Sequence, residues 1–545
     1  MNDQTRKTGA ALLVDALIEE GVELIFGYPG AAVLSIYDEL YHRRDRIQHI
    51  LVSHEQHAAH AADGYARASG SVGVCLATSG PGTTNLMTGI ATAFMDSVPL
   101  VAITGNVCTT LLGKDSFQEV DSTGITIPIV KHSWLVKDGA DLAFIVREAF
   151  VVSRTGRAGP VLIDIPSDVL EDYYAVKSVP HCRLKKLSKT MTVHDTALKQ
   201  AAQALCTAQK PVIYAGGGVV SADAGADLLS LAERLNAPVT LSLMGIASFP
   251  SRHPLCVGLI GAYGTDYAAT AIRQADLILA LGARFSERVT GNDPEGFIHG
   301  ATVVHCDIDP AEINKTVRAT LALVGDLKET LPRLLALLPP ARDKPPPVSV
   351  PSVPRSPALS PQYIMATAAA ALGPDALIVT DVGRHQLWTA QFYPFTGRAR
   401  SFLTSGGMGT MGFGLGAALG SAFACPDRPV VLITGDGSFR MNCSELSTLV
   451  AYHVPVLILL LNDHALGMIK QWQFIRYEGR YSESILNRPP DFVKLAEAYG
   501  ITGFQAATAP SFTAALEDAN KLLSEHKSAL IEVLTSAEPE IHRNL

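Results

Sequence analysis

The sequence predicts an α/β protein built from three doubly wound parallel-sheet domains in succession. Apolar, β-branched runs that end in Gly-rich turns and continue into helix-like segments recur along the chain, which is the pattern of βαβ units. A basic stretch at 176–189 and a stretch at 338–361 with nine prolines interrupt that pattern, dividing the chain into segments 1–175, 190–338 and 362–545. Its 545 residues suffice for about three or four domains with cores of their own.

The first segment opens with an amphipathic helix at about 9–20, then a strand at 22–26 that runs into the tight turn Gly27-Tyr28-Pro29-Gly30. A strand at 48–52 ends at Ser53-His54-Glu55-Gln56, and a helix follows from 57 to 69. Strands at 73–78 and 100–104 lead into Ser79-Gly80-Pro81-Gly82 and Gly105. Glu55, at a strand's C-terminal end, stands in the crevice where such sheets bind ligands, as a general acid/base would. The alternative is a carboxylate stabilised by a helix N-terminus. His57 and His60 share a helix face, but no third ligand accompanies them and a metal role is not expected.

In the second segment, 211–215 ends in Gly216-Gly217-Gly218, and 277–281 and 302–305 continue the sheet. This is a Rossmann-like arrangement with nucleotide-binding potential, although a Gly triplet alone serves any tight turn. In the third segment, Gly407-Met-Gly409-Thr-Met411-Gly412 fits the dinucleotide pattern, yet no strand clearly enters it.

The most informative stretch is the apolar run 430–434 followed by Gly435-Asp436-Gly437-Ser438. A helix is expected at 441–453, and a second buried strand at 454–461 ends at Asn462-Asp463. A right-handed crossover brings both strand ends to one sheet edge, so Asp436 and Asp463, 27 positions apart, can share one ion. Flanking glycines let backbone N–H groups approach phosphate, and hard carboxylate oxygens suit Mg²⁺.

These residues resemble the thiamine-diphosphate enzymes, and Leu466-Gly467-Met468-Ile-Lys-Gln-Trp472 is similar to the acetolactate (acetohydroxyacid) synthase large subunit in particular. His54-Glu55-Gln56, Thr78-Ser-Gly-Pro-Gly82 and Phe117-Gln118-Glu119 carry the same resemblance. It implies a pyrimidine-binding first domain, a central domain holding FAD as a structural cofactor, and a diphosphate-binding third domain.

Carried over residue by residue, Asp436, Asp463 and the Ala465 carbonyl hold Mg²⁺ on the diphosphate, with Tyr28, Pro29, Gly30, Gly409, Met411, Gly435, Gly437, Ser438 and Met468 around the cofactor. Glu55 serves the aminopyrimidine N1′, so that the cofactor itself provides the base at its thiazolium C2. Gln118 and Phe117 stand near the reacting substrate, Arg288 and Trp472 at the acceptor. Arg157, Gly216, Gly217, Arg284, Asp307 and Asp326 fall at flavin positions.

The implied reaction decarboxylates pyruvate and joins the remainder to a second 2-oxo acid, as in branched-chain amino acid biosynthesis. A homodimer or homotetramer with active sites at the dimer interface is implied, with room for a regulatory subunit. A specialised thiamine-dependent carboligase or decarboxylase acting on other 2-oxo acids or aldehydes is the nearest alternative. A flavin or NAD oxidoreductase, and a silent regulatory subunit, are more distant ones.

The chain departs from the family pattern with Asp463 for Asn, Arg384 for Gln, Ala31 for Gly, Ala158 for Pro and Ala262-Tyr263 for Met-His. The second carboxylate at 463 leads to the expectation of poor cofactor affinity without metal. The family's C-terminal Met-Val-Pro-Pro-Gly segment has no counterpart in Ala537 to Leu545, which leaves donor and acceptor open.

Composition excludes other classes. A net charge of −8 without a long basic cluster argues against nucleic acid. The eight scattered cysteines suit a reducing compartment, and no apolar run reaches the roughly 18 residues of a membrane span. A cytoplasmic enzyme is the expectation.

Overall fold

The computed structural model describes residues 6–176, 192–340 and 359–535. The linker residues 177–189 and 341–358, Cys182 and the stretch from Ala537 lie outside the described residues. Three six-stranded sheets, each wholly parallel, carry the fold, and a short antiparallel pair joins Arg6–Thr8 to Tyr173–Ala175. The strands are continuous apolar runs because helices cover both faces of each sheet.

The first sheet runs, across its width, Gln48–Leu51, Leu24–Gly27, Gly73–Ala77, Leu100–Asn106, Pro160–Pro166 and His132–Leu135. The third runs Phe402–Leu403, Leu377–Thr380, Val430–Gly435, Val456–Asn462, Ala529–Leu534 and Thr502–Ala506. Both follow the order 2-1-3-4-6-5 when strands are counted along the chain. The central sheet, Cys256–Leu259, Val239–Leu241, Pro211–Ala215, Leu277–Leu281, Thr302–Asp307 and Leu321–Val324, follows 3-2-1-4-5-6, the dinucleotide-binding order. In such sheets the ligand crevice opens where the strand order reverses, beyond the strands' C-terminal ends.

The first helix, Gly9–Glu19, starts where the Thr8 hydroxyl accepts from the Ala11 N–H at 3.1 Å. The helix expected at 57–69 begins earlier, at Glu55, because the His54 side chain accepts from Gln56 N at 3.1 Å and caps it. The single helix expected at 441–453 is broken. A helical turn at Asp436–Phe439 comes first, then a 3₁₀ turn at Cys443–Glu445 and a short helix at Leu446–Ala451. Asn442 leaves helical geometry at φ −135°, and His453 ends the run at φ +53°.

The first and third domains meet through Glu55–Ser69 and Gly414–Ala424. A Cβ on Gly420 would lie 1.8 Å from the Ala61 carbonyl oxygen, and one on Gly64 2.1 Å from that of Ala417. Only bare backbone allows this approach. Leucines and alanines of both domains form one apolar cluster across it, and another cluster joins the central and third domains. Beside the helix pair, Arg67 is held by Asp63 (2.5 Å) and Asp96 (3.0 Å) and donates to the Thr404 carbonyl at 2.9 Å. The Asp96 carboxylate accepts from the N–H groups of Gly406 (3.0 Å) and Gly407 (2.7 Å), so the first domain fixes a loop of the third. Among the described residues the cysteines are free, and no helix is long and apolar enough to cross a membrane.

Two outcomes follow from this seam. In an exposed helix Gly→Ala stabilises, but Gly420→Ala is expected to destabilise by about 1–3 kcal/mol, read as a lower thermal midpoint with unchanged far-ultraviolet dichroism. Burial, reinforced by the charges of His57 and Arg67, holds the fully buried His60 down at about 3. A histidine whose folded pKa lies below its unfolded one contributes stability that is present above about pH 6.5 and is lost as pH falls toward the folded value. The wild type is therefore expected to lose about 2 kcal/mol more than His60→Gln between about pH 7 and pH 5, measured by denaturant titration.

Candidate active site

The residues singled out in the first domain gather at its switch point, where Leu24–Gly27 and Gly73–Ala77 end side by side. Gly30 presses on Thr78, with room for no side chain: a Cβ would lie 2.4 Å from the Thr78 Cβ. Glu55 accepts from Asn85 Nδ2 at 2.9 Å through one oxygen, and Gly82 lies against the other. Gly80, at φ +58°, approaches the backbone of Gln118, which itself stands at φ +60°. That conformation is uncommon for a non-glycine residue and marks an imposed loop shape. Glu119 imposes it by accepting from the N–H groups of Ser116 (2.8 Å), Lys114 (3.3 Å) and Gly113. Phe117 is 88 % exposed at the tip, and Tyr28 is also exposed.

The third domain's switch point lies between Leu377–Thr380 and Val430–Gly435. Asp381, a residue given no role on sequence grounds, organises it. One oxygen accepts from Gly412 N (3.0 Å) and Gly414 N (2.9 Å), the other from the Thr434 hydroxyl (2.8 Å). Burial raises its pKa despite these donors. The loop carrying Gly409 and Met411 is thereby tied to the strand before Asp436. Gly409, at φ +68°, faces open space, and Met411 reaches toward Gly437. The Ser438 hydroxyl donates to the Val382 carbonyl at 3.1 Å.

Gly435 pairs with Leu461 in the sheet, which sets Asp436 and Asp463 just beyond adjacent strand ends. Burial first, and the Asp463 charge second, push the Asp436 carboxyl up to about 7. Its Oδ2 is buried and meets no hydrogen-bond donor among the described residues. An open carboxylate oxygen in dry surroundings, beside a second carboxylate, fits a hard divalent cation. Asp463 accepts from Ala465 N at 3.2 Å and from Arg384 Nη1 at 3.2 Å. Asn462 turns away, donating to Glu532 at 2.7 Å and accepting from His464 N. Ala465 is buried and bridged to Ile485, which pins the loop leading to the helix Gly467–Arg476. On that helix Met468 and Trp472 are half-buried, and Arg476 covers the Trp472 ring at 4.2 Å.

In the central domain Gly216 follows Pro211–Ala215 and lies against Gly282 and Ala283 across the switch point, and Gly217 lies against Met244. The Arg284 carbonyl accepts from the Tyr214 hydroxyl at 3.1 Å. Arg157 crosses from the first domain to Glu312 (2.7 Å) and Asp309 (3.5 Å). Asp307 accepts from Asp309 N at 2.9 Å, and Asp326 caps the helix Leu327–Leu337. Tyr263, noted in the sequence only as a departure, is buried, with Arg288 and Trp472 near its hydroxyl. The residues on either side of that tyrosine belong to different domains, so no local signal could have linked them.

Within one chain, no described hydrogen bond or ion pair joins Glu55 or Gln118 to Asp436, Asp463 or Met411. Glu445 adds a further polar contact between the first and third domains. It accepts from Ser53 N at 2.8 Å, lies 2.9 Å from His57 Nδ1, and takes the Thr448 hydroxyl at 2.7 Å.

The domain families described as thiamine pyrophosphate enzyme N-terminal TPP binding domain, central domain and C-terminal TPP binding domain match residues 7–125, 198–334 and 381–533. The acetolactate synthase isozyme 3 large subunit of Escherichia coli is 42 % identical over 98 % of this chain and 96 % of its own. The acetolactate synthase large subunit of Haemophilus influenzae is 43 % identical over 95 % and 93 %, and that of Parasynechococcus marenigrum 47 % identical over 91 % and 83 %. Likeness of this degree, spanning all three sheets and both switch points that bear acidic residues, places the chain in the acetolactate synthase large-subunit family of thiamine pyrophosphate enzymes.

Proposed function

We propose that this chain decarboxylates pyruvate and joins the two-carbon remainder to a second 2-oxo acid. The observation that carries the reading is the buried, open Asp436 carboxylate beside Asp463 at the third domain's switch point, in a chain whose relatives are acetolactate synthases. Bound thiamine diphosphate supplies the nucleophilic carbon and the electron sink that loss of CO₂ from a 2-oxo acid requires. Asp436, Asp463 and the Ala465 carbonyl hold Mg²⁺ against its diphosphate. Gly409 and Met411 support the pyrimidine, and Glu55 holds a proton at the ring nitrogen N1′. Gln118, with Phe117, borders the reacting carbon. Arg288 pairs with the acceptor's carboxylate and Trp472 contacts its side chain.

FAD in the central domain belongs to the same proposal. Its support is the 3-2-1-4-5-6 strand order, with Gly216, Gly217 and Arg284 at the reversal. The carboligation transfers no net electrons, so this flavin holds structure, and a purified yellow protein whose flavin pyruvate does not reduce is the expected sign.

Two copies complete the site. Exposed Phe117, Leu34 and Ile127 near the first switch point, and exposed Met408 and Met441 near the third, are apolar surfaces that a second chain would cover. A homodimer or homotetramer results. The relatives' designation as large subunits supports a smaller regulatory partner, and the free cysteines support a cytoplasmic setting.

Incubation with pyruvate, Mg²⁺ and thiamine diphosphate, with and without 2-oxobutyrate, is expected to give acetolactate and acetohydroxybutyrate by NMR. Glu55→Gln should lower the rate by about 100-fold or more. Pyruvate left untouched by protein with bound cofactor would move the assignment to another 2-oxo acid or an aldehyde. Tyr263→Phe removes a buried hydroxyl that lies near Arg288 and Trp472. It is expected to raise KM for the acceptor by about three- to tenfold with little change in kcat, read from initial rates at saturating donor.

A further inference from the structure

The cation site holds a cation of its own. Arg384 opens the helix Arg384–Phe392, and its Nη1 meets Asp463 Oδ2 at 3.2 Å, with both side chains under a tenth exposed. Trp388, one turn along, lies under the guanidinium with its ring centre 4.6 Å from Cζ. From the other side the backbone of Gly467 closes the space: a Cβ there would lie 2.4 Å from Asp463 Oδ2 and 2.6 Å from Arg384 Cδ. The second oxygen of Asp463 is turned toward the Ala465 N–H, in the loop that also carries the Ala465 carbonyl. The guanidinium thus grips one oxygen of Asp463 and leaves the other to the loop that carries Ala465, the proposed third ligand. Asp436 keeps an oxygen without a donor.

We infer that Arg384 is a positioning residue of the cation site, which orients Asp463 and cancels its charge so that the two buried carboxylates present one net negative charge to a divalent cation and a diphosphate. The inference rests on the cofactor assignment proposed above. It changes the expectation drawn from Asp463 alone, because the additional carboxylate comes with its own counter-charge. The departures at 384 and 463 are one change: a buried ion pair stands where two neutral amides would carry the same net charge. Removing one partner of such a pair strands the other in dry surroundings, whereas removing both does not. The charges of Arg440 on Asp436 and Lys470 on Asp463 also reach the site and are common to all variants compared.

The test is a double-mutant cycle on the full chain, with Mn²⁺ alone as the probe and binding read by electron paramagnetic resonance. Arg384→Gln is expected to tighten Mn²⁺ binding and Asp463→Asn to weaken it, each by at least about fivefold. The double variant should return to within about twofold of the wild type. Arg384→Lys, which keeps the charge, should remain near wild type. Thermal midpoints of the metal-free proteins should fall for each single change and recover in the double, a second readout independent of activity. Equal weakening by both single changes, or additive losses in the double, overturns the inference. Should Arg384→Gln fail to fold, the double variant must still bind Mn²⁺ more tightly than Asp463→Asn, and weaker binding overturns it. Wild-type protein that binds no Mn²⁺, alone or with thiamine diphosphate, overturns the cofactor assignment itself.

Discussion

The joining of the first and third domains depends on how closely two helices approach. Glu55–Ser69 and Gly414–Ala424 meet backbone to backbone at Gly64 and Gly420, and the helix that begins with Glu55 is thereby locked onto the domain that holds Asp436 and Asp463. Close packing without voids is what makes such a contact rigid. Arg67 and Asp96 extend the lock into a loop by holding Thr404, Gly406 and Gly407, immediately before the segment that bears Gly409 and Met411. The first domain therefore supplies Glu55 and also fixes the shape of a third-domain loop.

The three sheets divide the work by one topological rule. Each has a reversal of strand order next to its first strand, and there the ends of two strands diverge and leave a crevice. Glu55 and Gln118 line the first crevice, Gly216 and Arg284 the second, Asp381, Asp436 and Asp463 the third. Buried polar groups there are held by hydrogen bonds from backbone and hydroxyl donors. Asp381, which binds the N–H groups of Gly412 and Gly414, ties one crevice wall to the other. Such fixed donors keep a site in shape before any ligand arrives.

Much of this was legible in the sequence because it is local. The apolar run before Gly435-Asp436-Gly437 and the one before Asn462-Asp463 announce neighbouring parallel strands, and the sheet register sets Gly435 beside Leu461 as that reading requires. The unbroken helix expected at 441–453 was not found, since periodicity says nothing of Asn442, which leaves helical geometry and sends Glu445 toward His57. The pairing of Arg384 with Asp463, of Arg157 with Glu312, and the placement of Tyr263 against Trp472 were also out of reach. Each joins residues far apart in the chain, and a single sequence carries no record of such partners. The two departures at 384 and 463 looked independent until the fold set them side by side.

The helix seam has a symmetry of its own. Each of its helices links the second strand of its sheet to the third, and the two sheets share one strand order. Gly64 rests on Ala417 while Gly420 rests on Ala61, so that a glycine and an alanine three residues apart on one helix meet their counterparts in reverse on the other. This is the isologous pattern of a twofold dimer interface, written inside a single chain. The first and third domains meet as two copies of one strand order would about a local twofold axis. Glu55 thus stands on one side of this twofold seam and Asp436 and Asp463 on the other, beyond strand ends of two sheets that share one order.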